Sequence, residues 1–161
     1  MRAAVYHGPG DVRVEPVDEP GEPGEGELVL EVLRAAICGT DAGEWADGPN
    51  LISLDRPHPG SGHSGPVVMG HEFVGRVAAV GDGVEGLEVG DRVVSGAGVS
   101  CGRCPWCLSG RTNICAGYYT IGFHADGGLA EAVRTPAVAA AVRSRYGETV
   151  AAGERAGYTG S

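Results

Sequence analysis

Four of the five cysteines in this 161-residue chain fall within fifteen positions, in the stretch CGRCPWCLSGRTNIC. Cys101, Cys104, Cys107 and Cys115 follow the spacing C-x2-C-x2-C-x7-C. Each two-residue gap lets neighbouring sulfurs face one centre, and the seven-residue gap, with Gly110 for a sharp turn, carries the fourth sulfur back. Four thiolates at about 2.3 Å suit Zn2+ and leave a closed, structural site. An iron–sulfur cluster takes similar ligands, and two disulfides or core packing are the plainer alternatives. An acidic, cytoplasmic-looking chain disfavours disulfides. The spacing favours zinc.

The fifth cysteine, Cys38, stands apart in ICGTD, beside Thr40 and Asp41; His71 and Glu72 follow in VMGHEFVG. Thiolate, imidazole and carboxylate are all zinc ligands, and three of them around an open position make a catalytic site. Each residue also has a plainer reading. A lone cysteine is ordinarily packing, and a His-Glu pair is ordinarily solvated. The residue types alone leave both readings open.

The elements that must position these groups read as short strands. Ala3–Tyr6 and Val12–Val17 flank a GPGD turn, and Glu27–Ile37 reads as a longer strand after a Pro/Gly/Glu loop. Residues 42–66 hold four prolines and no clear period, so they read as a loop-rich insertion. EFVGRVAAVGDGVEGLEVGDRVVSG then reads as strand, turn, link and strand. Short strands at this spacing predict a barrel or sandwich. Near the end, Val138–Tyr146 is alanine-rich and predicts a short helix stopping near Gly147.

The net charge of −9 argues against a nucleic-acid partner, whose phosphates need a basic face. No apolar run approaches the roughly 18 residues of a membrane span. The N-terminus breaks at His7-Gly8-Pro9-Gly10 before a signal-peptide core could form. A cytoplasmic protein is expected.

GSGHSG, residues 60–65, fits the dinucleotide fingerprint G-x-G-x-x-G. A working fingerprint follows a strand and opens a helix, whose N-terminus meets the pyrophosphate. Here Arg56-Pro57-His58-Pro59 precedes it, and Pro66-Val67-Val68-Met69 follows. Prolines exclude an ordinary central strand, so no cofactor-binding role is expected of this loop.

ICGTD, the GHEFVGRVAAVGDGVEGLEVGDRV stretch and the four-cysteine loop, in this order, resemble the N-terminal catalytic domain of zinc-dependent medium-chain alcohol dehydrogenases. DGGLAEAVRTPA, residues 126–137, is similar to the segment that closes that domain. The resemblance covers residues 1–137. It implies a mainly β, GroES-like, partly open barrel with a structural-zinc lobe; the family then continues into a Rossmann domain, whereas here 138–161 is expected to be an atypical tail, truncated or frameshifted, with no Rossmann domain in this sequence. The insertion DGPNLISLDRPHPGSGHSGPVVMGHEF is similar to that of the 2,3-butanediol dehydrogenase branch.

By that resemblance Cys38 and His71 bind a catalytic zinc, with Glu72 as ligand or supporting partner, and Cys101, Cys104, Cys107 and Cys115 bind the structural zinc. Thr40 matches the hydroxyl that hands on the substrate's proton, and Asp41 orients a metal ligand. Zinc-bound alcohol would ionise and pass a hydride to NAD or NADP. The implied partners are a small alcohol or diol, and either a second copy of the chain or a separate nucleotide-binding chain. A non-catalytic zinc-binding barrel, or half of a split enzyme, is the alternative.

Two departures matter. Many relatives have a histidine five residues after the zinc cysteine, where this chain has Gly43. His58 and His63 could replace it, but are expected to be solvated loop residues; His7 and His124 carry no assigned role. A further family ligand, often glutamate, lies just beyond the matching region, and Glu154 is its nearest counterpart.

Overall fold

A computed structural model describes residues 1–143 and 149–151. Its strands are β1 (Arg2–Gly8), β2 (Asp11–Pro16), β3 (Glu27–Ala36), β4 (Val67–Val68), β5 (Glu72–Val80), β6 (Arg92–Ser95), β7 (Gly98–Val99), β8 (Tyr119–Thr120), β9 (Ala132–Pro136), β10 (Ala140–Arg143) and β11 (Thr149–Ala151). Two helices interrupt them, α1 (Gly39–Asp47) and α2 (Pro105–Leu108). The strands expected from alternation and turn residues are present, with ends shifted by no more than about two residues, as boundary placement allows.

Six strands form one sheet in the order β11-β10-β6-β5-β3-β9; β2-β1-β4 form a second and β7-β8 a third. An Ala3–Ala130 bridge and the Ala4 N–H to Leu129 O bond (2.8 Å) join the two larger sheets along one side. The sheets do not close, so the barrel is partly open. Leu28, Leu30, Phe73, Val77, Val93, Ile121 and Val133 pack the main core. A second cluster of Tyr6, Ile52, Val67, Met69 and Phe123 lies under the insertion.

Two expectations are corrected. Where a loop is expected from residue 42, α1 runs from Gly39 to Asp47. Its inward residues are Asp41 and Glu44, so no apolar stripe announces it. The alanine-rich segment is not a helix at its start. Ala137–Ala139 is a single 3-10 turn, and Ala140–Arg143 pairs with β6 (Ala140 opposite Ser95, Val142 opposite Val93). Pairing with the open edge of β6 outweighs alanine's modest helix preference. Residues 144–146 of that expected helix lie outside the described residues.

GSGHSG folds as a loop turn. His58 N–H bonds to His63 O (2.8 Å), Gly62 N–H bonds to His58 O (2.7 Å), and no helix follows before Gly70 among the described residues. No described helix is long and apolar enough to cross a membrane.

Candidate metal centres

Strand register brings the dispersed residues together. β3 and β5 are antiparallel over their whole length, from Leu28 opposite Val80 to Ala36 opposite Glu72. The chain leaving β3 therefore arrives beside the chain entering β5, which places Cys38 next to His71 across about 30 residues of sequence. The register shifts twice along the pair, between Val29 and Leu30, where Ala78 of β5 is passed over, and between Val32 and Arg34, where Leu33 of β3 is passed over. Gly70 holds φ = 95°, and a Cβ there would meet Leu129 at 2.7 Å, so only glycine fits immediately before His71.

One ligand atom each from Cys38, His71 and Glu72 lie within 4.8 Å of one another. Cys38 caps α1, and its backbone N–H donates to Asp41 Oδ2 at 2.8 Å. Asp41 Oδ1 then faces His71 Nδ1 at 3.6 Å. Both atoms are buried, and neither has another partner among the described residues. Burying an unpaired carboxylate oxygen and a ring nitrogen is costly. The arrangement makes sense when Nδ1 carries a proton toward Asp41 and Nε2 presents its lone pair elsewhere. Thr40 Oγ1 is 3.4 Å from that Nε2. Phe123 covers the ring at 4.8 Å between centroids. The donor set fits a zinc ion with an open side.

The four-cysteine lobe spans α2 and the turn at Thr112–Ile114. Cys104 Sγ is 3.5 Å from Cys107 Sγ, and Cys101 Sγ is 3.9 Å from Cys107 Sγ. A tetrahedron of sulfurs around zinc has edges of about 3.8 Å, whereas a disulfide needs about 2.05 Å. All four are free thiols, which removes the disulfide alternative. Backbone N–H groups already point at the sulfurs, from Cys104 to Cys101 Sγ (3.3 Å), Cys101 to Cys115 Sγ (3.3 Å) and Gly117 to Cys115 Sγ (3.3 Å). Such donors stabilise thiolate charge.

The Cys107 N–H lowers the Cys104 thiol to about 6, while burial pushes Cys107 up to about 11. In metal-depleted chain near neutral pH, iodoacetamide is therefore expected to modify Cys104 well before Cys107, because the thiolate is the nucleophile. Mass spectrometry of timed digests checks the order.

Glu72 sits at the exposed start of β5. Glu154 lies outside the described residues. His58, His63 and His124 are not simply solvated. His58 stacks on His124 with ring centroids 3.9 Å apart, and His63 Nε2 is buried. His7 pairs with Glu15 at 2.9 Å.

Sequence reasoning missed Glu44. It is 1% exposed, and its carboxylate accepts the N–H groups of Asn50 (3.1 and 3.0 Å) and Leu51 (2.6 Å). Its carbonyl accepts the Tyr6 hydroxyl at 3.0 Å. A glutamate inside GEWAD carries no pattern that separates it from a surface residue.

Residues 24–144 match the alcohol dehydrogenase GroES-like domain. The (R,R)-butanediol dehydrogenase of Bacillus subtilis is 47% identical over 95 residues, 58% of this chain and 27% of that protein. The L-threonine 3-dehydrogenase of Idiomarina loihiensis is 39% identical over 124 residues, 75% of this chain and 33% of that protein. The crystal structure of 2R,3R-butanediol dehydrogenase from Bacillus subtilis superimposes with a TM-score of 0.80 at 34% identity, over 89% of this chain and 40% of that one. The chain thus spans well under half the length of these relatives. With this match over most of its length and two convergent donor sets, one of them aligned by the β3–β5 register, the chain belongs to the alcohol dehydrogenase GroES-like domain family.

Proposed function

We propose that the chain is the metal-binding, alcohol-binding part of a zinc-dependent dehydrogenase acting on small secondary alcohols, vicinal diols foremost. The observation that supports this most directly is the buried Asp41–His71 pair, whose unsatisfied atoms orient His71 beside Cys38 and Glu72. Cys38, His71 and Glu72 would hold the catalytic zinc, and Cys101, Cys104, Cys107 and Cys115 the structural one. A bound catalytic zinc supplies a Lewis acid that makes an alcohol hydroxyl acidic near neutral pH.

The chain's own residues do the rest. Asp41 fixes the His71 tautomer. Thr40 Oγ1, at the edge of the donor set, accepts the substrate's hydroxyl proton. Gly43 offers no side chain to take it further, so Thr40 passes it to water. Phe123 shields one flank of His71.

Butanediol and threonine, named in two relatives, are both secondary alcohols with a heteroatom on the adjacent carbon. That shared feature defines the proposed substrate class. Hydride goes to NAD or NADP held by another domain or partner chain, and GSGHSG takes no part. We place the chain in the cytoplasm, in a homo-oligomer or beside a nucleotide-binding partner, with residues 1–137 as the functional domain.

Metal analysis tests the site. Two zincs per chain are expected, falling to one in Cys38→Ser and in His71→Asn, with the lobe intact. A single zinc in the unaltered chain overturns the catalytic site and favours a non-catalytic zinc-binding barrel. Tight NADH binding by the 161-residue chain alone overturns the assignment of the nucleotide to another domain.

A further inference from the structure

We propose that His124, stacked on His58, forms a latch that holds the insertion, residues 49–66, against the body of the domain while the His124 ring is neutral and releases it when that ring is protonated. The rings stack at 3.9 Å with an interplanar angle of 20°. His124 Nδ1 accepts the Thr120 N–H at 3.0 Å, so its proton sits on Nε2, which donates to Leu51 O at 3.0 Å. One neutral imidazole thus ties the end of β8 to the insertion across 73 residues of sequence. His58 Nδ1 accepts the Gly60 N–H (3.2 Å) and lies 3.4 Å from the Ser61 N, closing the turn on itself.

Protonation breaks this arrangement in two ways. A proton on His124 Nδ1 removes the acceptor that the Thr120 N–H needs. The His58 ring stacked at 3.9 Å also disfavours a charge on His124. The surrounding charges do not compensate evenly. His63 adds a third titratable ring near His124, and the Glu44 carboxylate opposes it. Asp55 and Arg56 flank His58 in one surface groove, and Asp126 lines a second cavity with His63 and His124.

Burial first, then His58, holds His124 below the usual histidine value of 6.5. The folded chain therefore binds this proton less readily than the unfolded chain. The contact's stabilisation is complete above about pH 6.5 and is lost progressively as pH falls toward the lower folded value.

Release would reach the candidate catalytic centre. Leu51 adjoins Ile52, which is 4% exposed and packs in one cluster with Phe123. Phe123 in turn lies against His71. The latch itself does not depend on the metal assignment.

Amide exchange on the zinc-loaded chain tests it, with metal content measured at each pH. From about pH 7.5 to about pH 5.5, the opening equilibrium of residues 51–63 should rise by roughly tenfold per pH unit of depression in His124, after correction for intrinsic exchange. Residues 101–115 should stay protected. In His124→Gln, whose neutral amide can both accept and donate, the pH dependence should vanish. Imidazole 15N NMR of the unaltered chain should show the Nε2–H tautomer and a midpoint below 6.5, which settles the matter even where the variant fails to fold. A His124 midpoint at or above 6.5, an unchanged pH dependence in His124→Gln, or opening that tracks metal loss from the lobe overturns the latch.

Discussion

Cys107→Ser is expected to leave the chain with one zinc fewer and a molten lobe between β7 and β8. Cys107 is 6% exposed, and its sulfur approaches both Cys101 and Cys104. Serine keeps the volume but supplies a poor, protonated ligand. Structural zinc contributes apparent binding energies of about 10–16 kcal/mol in small zinc-folded peptides, and that binding energy is folding energy. The lobe has little else. α2 has four residues, the 3-10 turn three, and Trp106, Leu108 and Ile114 are largely exposed. The six-stranded sheet should survive, because its core of Leu28, Leu30, Phe73, Val77 and Val93 owes nothing to the lobe. Exchange protection lost across 101–115 but kept across β3 and β5 is the expected pattern. Retention of full zinc content would show that the four sulfurs do not share one ion.

Glu44→Ala is expected to lower stability by about 2–4 kcal/mol, an unusually large effect for an acidic residue. The carboxylate anchors the loop beyond α1 by accepting the N–H groups of Asn50 and Leu51, with hydrogen bonds to a charged acceptor worth about 1.5–3 kcal/mol. Alanine removes that acceptor and leaves space beside Tyr6, which is fully buried. Glu44→Gln keeps one acceptor oxygen and should recover part of the loss. Urea unfolding reads the effect as a fall in midpoint at nearly constant slope. A change within experimental error for Glu44→Ala would mean that the loop beyond α1 is held by its apolar contacts alone. Because Leu51 also accepts from His124, this variant should weaken the insertion at the same place as the His124 latch.

Much of the fold was legible because it rests on local chemistry. Turn glycines and alternating valines mark β1, β2, β5 and β6, and C-x2-C-x2-C-x7-C marks the lobe, since short spacings leave few geometries open. α1 was not legible. Its buried face is Asp41 and Glu44, and polar residues buried by hydrogen bonding look in sequence like polar residues in water. The tail misled for the opposite reason. Alanine's helix preference is weak, and the exposed edge of β6 offered Ala140–Arg143 a ladder of backbone bonds instead.

By itself the sequence determined the thiol cluster, the residue types of both donor sets and the family likeness, all of which follow from local spacing. Only the tertiary structure decided that Cys38, His71 and Glu72 meet, that Asp41 faces His71, and that Glu44, His58 and His124 are structural partners. Those facts depend on the β3–β5 register and on which polar atoms are withdrawn from water, and neither is written in the spacing of residues along a chain.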